Sequence, residues 1–460
     1  MAIIFDVVDI SDLLSQLSGM VWGLPLMIVL VGTGLYLSIR LSGIQLRGFS
    51  HAVSVLRGAY DDPRDPGEIS HFRALSTALS ATIGTGNIVG VAAAILTGGP
   101  GAVFWMWITA CVGMATKFTS CTLAVHFRKI DDQGEAHGGP MHYIELGMGR
   151  SYRWLAVCFA SFTALASFGI GNMFQISSMT SAVSQLIYGD GATVALGLRW
   201  TVGIVAAGLV AAVILGGIKR IARVAAFLVP GMCLFYVLTG AVILIRNAEL
   251  IGPGLGLIFY DAFHAPESVA GGLIGGVIRS GVARGLFSNE AGLGSAAMAH
   301  GAAQTKEPVR EGLVAMLGPF IDTIIVCSIT ALVIICTGAY ETVTSKGQLT
   351  AAAFEMGIGG TGRLVAVGIL LFAFSTLIAW SYYGDRAVDF LFGKKAVTPY
   401  RWIYVAFVLI GALRPLDDVI NFCDAMNGLM AVPNLIALLV LSPVVAGLSR
   451  EYFRKSSASA

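Results

Sequence analysis

The chain has 460 residues, 56% of them apolar and 12% charged, and its mean hydropathy is +0.79. An average soluble domain carries about 25% charged residues, so this composition excludes a soluble globular enzyme and a disordered chain. With 29 Lys and Arg against 27 Asp and Glu, the formal net charge of +2 is too small an excess for a nucleic-acid binder. At about 20 apolar residues per crossing, the chain has room for roughly ten to twelve membrane helices.

Met1 to Met20 holds Asp6, Asp9 and Asp12 and no Lys or Arg. A cleaved signal needs a basic start, so this stretch reads as an acidic amphipathic segment at the outer interface. Eleven apolar stretches follow, over residues 21–40, 74–97, 101–127, 153–187, 193–217, 221–246, 269–300, 311–337, 362–391, 400–414 and 420–449. Loops on one side of these spans hold 21 of the Lys and Arg and loops on the other hold 5, while Lys117, Arg279 and Arg284 fall inside spans. The positive-inside rule then puts the N-terminus outside and the C-terminus in the cytoplasm. No hydrophilic stretch is long enough for a soluble catalytic domain. All seven cysteines lie in apolar stretches without a CxxC pair and read as buried thiols. His126, His137 and His142 share a loop without metal-ligand spacing, so metal binding through Cys or His is not expected.

Two spans are interrupted. The second carries Gly84, Thr85, Gly86 and Asn87 near its middle, and the seventh carries Ser288, Asn289, Glu290, Gly292 and Gly294. Each glycine weakens a helix by about 1 kcal/mol, and Ser and Asn compete for backbone hydrogen bonds. At bilayer depth such clusters predict unwinding beside a cavity. Small-xxx-small pairs (Gly86 with Gly90, Gly271 with Gly275, Gly272 with Gly276) account for close helix packing. They do not account for Asn87, Ser288, Asn289 and Glu290.

The breaks lie five spans apart, and an odd number of crossings inverts topology. Spans 2–6 and 7–11 then form two inverted five-helix repeats, with span 1 as an extra. The corresponding division is 1–70 for the N-terminal segment, extra helix and loop, 71–250 and 251–449 for the repeats, and 450–460 for a cytoplasmic tail. Paired interrupted helices point to a midplane site in a secondary transporter. Exposed N–H groups at half-helix ends attract a carboxylate, and unwound carbonyls with hydroxyls suit a small hard cation. The sequence therefore predicts an all-α, polytopic, cation-coupled carrier of a small polar solute.

Five motifs carry a resemblance to a known family. They are Ile83-Gly-Thr-Gly-Asn87, the run Gly98-Gly-Pro-Gly-Ala-Val-Phe-Trp-Met-Trp-Ile-Thr-Ala-Cys-Val-Gly113, Phe168-Gly-Ile-Gly-Asn-Met173, Phe287-Ser-Asn-Glu-Ala-Gly-Leu-Gly-Ser295 and Trp380-Ser-Tyr-Tyr-Gly384. From about residue 20 to 445 the chain resembles the alanine or glycine:cation symporters. The resemblance implies a leucine-transporter-like fold of about 11 spans and sodium-coupled uptake of alanine, glycine and similar amino acids. It also implies a monomer in a bacterial or archaeal cytoplasmic membrane, with no organic cofactor and no nucleic-acid partner. Thr85, Gly86 and Asn87 would meet the substrate carboxylate, and Gln175 its polar end. Phe287, Ser288 and Asn289 would offer carbonyls to the ammonium, and Trp380 would cap the side-chain pocket. Sodium would take the carbonyls of Ala81 and Gly84 and the hydroxyls of Ser375 and Thr376. Arg73, His142 and Ala297 replace the residues more usual in that family, all on the cytoplasmic side.

Arg284 and Glu290 flank the second break six residues apart, which is not a helical pair. An ionised group at a helix centre costs roughly 2.5–3.5 kcal/mol on insertion scales, so each needs a partner or water. An ion pair across the break, gate pairs with other spans, or snorkelling would meet that need; Asp322 is a candidate partner for one of the two, and Lys117 is expected to snorkel at the inner end of span 3. The pair Gly84-x-Gly86 follows no strand and is no nucleotide loop. No Walker motif is present, and a membrane potential supplies about 2.3 kcal/mol per charge per 100 mV, enough for roughly fiftyfold accumulation with one cation. A channel would show a selectivity filter, and an intramembrane enzyme a nucleophile–base or metal set within the spans. Neither pattern is present in the sequence.

Overall fold

A computed structural model describes residues 10–189, 194–264, 274–414 and 417–458. The acidic start at Asp6 and Asp9 lies outside the described residues, as do Gly271 and Gly272. Helix α1 (Ile10–Val21) leads into α2 (Leu24–Arg40), and the first broken span follows as α3 (His71–Thr82) and α4 (Val89–Gly98). Next come α5 (Ala102–His126), α6 (Arg153–Phe168), α7 (Phe174–Tyr188), α8 (Leu196–Ile214) and α9 (Gly217–Arg246). Helix α10 (Ala248–Asp261) precedes the second interruption, which separates α11 (Ile274–Asn289) from α12 (Ser295–Gly301). The chain closes with α13 (Pro308–Pro319), α14 (Ser328–Cys336), α15 (Leu349–Gly357), α16 (Gly362–Phe392), α17 (Val397–Leu413), α18 (Asp417–Leu429) and α19 (Ala431–Ala458). A short antiparallel hairpin pairs β1 (Lys129–Ile130) with β2 (Ala136–His137).

Among the described residues, nine helical stretches are long and apolar enough to cross a membrane, and ten when the bent pair α3–α4 is taken as one span. The expected span 269–300 falls on α11 and α12, which are not among these stretches, and its residues 269–273 lie outside the described residues. The expected spans 311–337 and 420–449 are one continuous stretch each, Pro308–Cys336 and Ile420–Lys455.

Burial sorts the helices into a core and a rim. Of the most apolar window of α5, 83% is buried inside the protein, against 28% for α8. Helix α5 is rich in Ala, Gly, Thr and Ser, whose small side chains let neighbours approach closely. Helices α8 and α9 instead turn Ile204, Leu209, Phe227 and Ile245 outward, as a lipid-facing surface does. The core helices α3, α5, α11, α13 and α16 surround both interruptions.

Candidate functional site

The first break is held by its own residues. Helix α3 starts on a cap in which the Ser70 hydroxyl oxygen accepts from the Arg73 N–H, and stops at Thr82. Ile83 and Gly84 are extended, a tight turn covers Thr85–Asn87, and α4 leaves at 62° to α3. The Asn87 side chain closes the turn, its Oδ1 accepting from the Gly84 N–H at 2.9 Å. Gly84 is required for space, since a Cβ there would lie 2.9 Å from Thr376 Oγ1.

The second break forms where Glu290 adopts φ +51°, unusual for a residue with a side chain, followed by Gly292 at +94° and Gly294 at +89°. The two breaks touch: a Cβ on Gly86 would sit 3.6 Å from the Phe287 ring and 3.7 Å from the Ser288 backbone.

A single carboxylate ties the breaks together. Asp322 is fully buried in a loosened, π-type stretch, Phe320–Cys327, between α13 and α14. It accepts from Asn87 Nδ2 at 2.6 Å, Ser288 Oγ at 2.9 Å and Thr323 Oγ1 at 2.7 Å. Asn289 donates to Thr323 Oγ1 at 3.3 Å and accepts from the Ala291 N–H at 3.0 Å. The Asn87 side chain, expected to face the substrate carboxylate, is thus engaged with Asp322 and the Gly84 N–H, and the Ser288 and Asn289 side chains with Asp322, Thr323 and the Ala291 N–H.

Where the breaks meet lies a small cavity of about 20 Å³, room for about one water. Thr85, Gly86, Gln175, Phe287 and Trp380 line it, joined by Ile170, Glu290 and Asn427. Among the described residues, Thr85 Oγ1, Gln175 Oε1 and Asn427 Oδ1 are buried with no hydrogen-bond partner, although buried polar atoms are nearly always paired. Gln175 is oriented by its Nε2 donating to the Ile170 carbonyl at 3.1 Å. Trp380 packs directly on Gly171, where a Cβ would lie 2.3 Å from the tryptophan Cβ. A wider vestibule of about 270 Å³ adjoins the cavity and shares Thr85, Gly86, Ile170 and Phe287 with it. Arg284, Lys346 and Asp424 also line the vestibule.

On α16, Ser375 and Thr376 of the expected sodium set face α3, where the carbonyl they bond is that of Ser80 rather than Ala81 or Gly84. Thr376 Oγ1 donates to the Ser80 carbonyl at 3.1 Å and to the Phe372 carbonyl at 3.0 Å. Ser375 Oγ donates to the Phe372 carbonyl at 2.8 Å, and Ser80 Oγ donates to the Ser375 carbonyl at 2.7 Å. Hydroxyls that donate to carbonyls keep their lone pairs for a cation, so this all-oxygen set fits a small hard ion.

The far side of the cavity is closed. Arg128, just beyond α5, donates to the carbonyls of Pro66, Gly301, Ala303 and Thr305 at 2.5–2.8 Å. The strands of chain before α3 and after α12 also pair directly, Glu68 N–H to the Ala302 carbonyl at 2.8 Å and Gln304 N–H to the Ile69 carbonyl at 2.7 Å. Beneath them His71 and His300 both bond the buried Glu311, His300 at 2.5 Å.

Three comparisons place this geometry. Residues 7–460 match the sodium:alanine symporter family. The chain belongs to that family. A transporter of uncharacterized function from Haemophilus influenzae is 46% identical, with 97% of each chain covered. The sodium/alanine symporter AgcS of Methanococcus maripaludis is 44% identical, covering 98% of this chain and 99% of its own. The solved structure of MhsT in complex with L-phenylalanine superposes with a TM-score of 0.56 at 11% identity, covering 83% of this chain and 98% of MhsT. This member of the sodium:alanine symporter family therefore has the leucine-transporter-like fold and is a sodium-coupled amino-acid carrier, not an enzyme.

Within this symporter the charged residues take positions that spacing alone left open. Arg284 and Glu290 do not pair across the break: Arg284 lines the vestibule opposite Asp424, and Glu290 lines the cavity and accepts from Ser295 Oγ at 2.5 Å. Lys117 does not snorkel. It is 5% exposed on α5, the most enclosed of the described spans. The sequence reading missed Asn427; the signal was a lone amide in an apolar span.

Proposed function

We propose that the protein takes up alanine, glycine and similarly compact neutral amino acids together with sodium, exchanging access between the two membrane faces. The observation that carries this reading is the cavity where both breaks meet. Phe287 and Trp380 wall it, three unpaired buried oxygens line it, and the all-oxygen Ser375–Thr376 set lies beside it. Substrate would enter through the vestibule and displace Phe287 and Ile170, which separate the two spaces. Its carboxylate would meet the N–H groups that open the Thr85–Asn87 turn, and its ammonium the oxygens opposite. Sodium would bind among Ala81, Gly84, Ser375 and Thr376, joining α3 to α16 and fixing the first break, which raises substrate affinity.

In this reading spans 2–6 and 7–11 are inverted repeats, the vestibule faces outward and the Arg128 clasp faces the cytoplasm. Opening would then require the clasp to part while the vestibule closes. The distribution of Lys and Arg supports that orientation. Side-chain size is the accessible test. Trp380→Ala should let the carrier accept larger neutral amino acids such as leucine as competitors of labelled alanine. An unchanged competitor profile would move the size filter away from Trp380.

A further inference from the structure

Helix α18 presents one polar stripe to the substrate path. Asn421 and Asp424 line the vestibule and Asn427 lines the inner cavity. These positions recur at intervals of three residues, which keeps them on neighbouring parts of one helical face. Asn427 is 2% exposed and its Oδ1 has no hydrogen-bond partner. Membrane packing alone gives no reason for a buried, unpaired amide, since an apolar side chain would fill the space without a polar penalty.

The backbone around Asn427 is fixed, so the amide is held where it is. One turn earlier, Ser18 of α1 donates to Asp424 Oδ2 at 2.6 Å and the Trp22 indole donates to the Asp424 carbonyl at 3.2 Å. One residue later, a Cβ on Gly428 would lie 2.5 Å from Val21 Cγ1. Another wall of the same cavity holds Gln175 with its Oε1 likewise unpaired.

We propose that Asn427 contacts the transported amino acid, its carboxamide oxygen accepting from the α-ammonium beside Gln175 Oε1. Neutral acceptors hold an ammonium without placing a further fixed charge at bilayer depth. The last span, braced by α1, thereby becomes a wall of the substrate site alongside the two broken helices. This inference rests on the amino-acid symport reading above.

The test uses the full chain in proteoliposomes, with labelled alanine taken up under a sodium gradient. Asn427→Leu removes the acceptor on a side chain of the same branched shape and should raise KM about tenfold or more, equivalent to at least about 1.4 kcal/mol. The maximal rate and the half-saturating sodium concentration should stay within about twofold of the parent, the pattern of lost ground-state binding. Asn427→Asp, which keeps an acceptor oxygen, should recover most of the affinity. An unchanged KM in Asn427→Leu, or an Asn427→Asp protein as weak as Asn427→Leu, overturns the assignment. If Asn427→Leu shows no cooperative melting, Asn427→Ser and Asn427→Asp decide by the same KM comparison. Parent protein that shows no sodium-driven uptake refutes the symport reading itself, whereas normal parent uptake with an indifferent position 427 refutes this inference alone.

Discussion

Removing the Asp322 carboxylate should loosen both breaks at once. Asp322 receives hydrogen bonds from Asn87 at 2.6 Å, Ser288 at 2.9 Å and Thr323 at 2.7 Å, and all four residues are buried. Asp322→Ala removes an acceptor from all three donors, although Asn87 keeps the carbonyl of residue 322 at 3.2 Å and Cys327 Sγ at 3.3 Å, and Ser288 keeps Cys327 Sγ at 3.4 Å. Each orphaned buried donor costs about 1–3 kcal/mol. Thr323 can turn its hydroxyl to a carbonyl of its own helix and Asn87 keeps a carbonyl acceptor, so about one penalty remains, chiefly at Ser288, on the order of 1–3 kcal/mol. Asp322→Asn keeps one acceptor oxygen and should lose about half as much. Thermal unfolding in detergent gives the stability change, and a double-mutant cycle of Asp322→Ala with Ser288→Ala isolates the link to the second break. That cycle should show a coupling of about 0.5–3 kcal/mol. Strict additivity in the cycle, or an Asp322→Ala protein as stable as the parent, would refute the claim that one carboxylate joins the two interruptions.

Further expectations follow from other parts of the molecule. Thr376→Ala should raise the sodium concentration needed for half-maximal uptake while leaving the order of competing amino acids unchanged; an unaltered sodium response would remove Thr376 from the ion site. Arg128→Lys cannot reach the four carbonyls that the guanidinium bonds, and losing even one charge-assisted bond of about 1.5–3 kcal/mol should raise sodium-independent alanine leak about tenfold or more. Leak equal to the parent's would show that the clasp does not hold the inner side shut. At the β1–β2 hairpin, hydrogen bonds to Asp389 and then Asp131 oppose the effect of burial and raise the His137 pKa above 6.5. A raised histidine pKa adds stability that is complete below pH 6.5 and is lost as pH rises through the folded value. Protection factors across residues 129–137, with the base-catalysed intrinsic rate divided out, should therefore fall above that range in the parent but not in His137→Ala; identical pH profiles of protection would rule the histidine out.

Much of this architecture was written in composition and spacing. Apolar stretches of about 20 residues announce helices because the bilayer leaves backbone groups no other partner. The interruptions at Gly84–Asn87 and Ser288–Gly294 stood out because glycine and asparagine at that depth oppose helix formation. What those polar side chains would bind was not legible. Asn87, Ser288 and Asn289 find Asp322 and Thr323, which lie 34 residues or more away in the chain and in a π-type stretch that no 3.6-residue period marks. Lys117 looked like an edge residue because sequence position gives depth along a helix but not which face is enclosed. Asn427 was overlooked for a related reason. A lone amide in an apolar span acquires meaning only when Gln175 and Thr85, far away in sequence, appear around the same cavity.

Uptake of labelled alanine into proteoliposomes, under an imposed sodium gradient, a proton gradient or neither, tests the central claim most directly. The account predicts accumulation that follows the sodium gradient alone and is competed by glycine. Accumulation driven by protons alone would contradict the Ser375–Thr376 sodium site, and no alanine accumulation under any gradient would contradict the assignment of substrate.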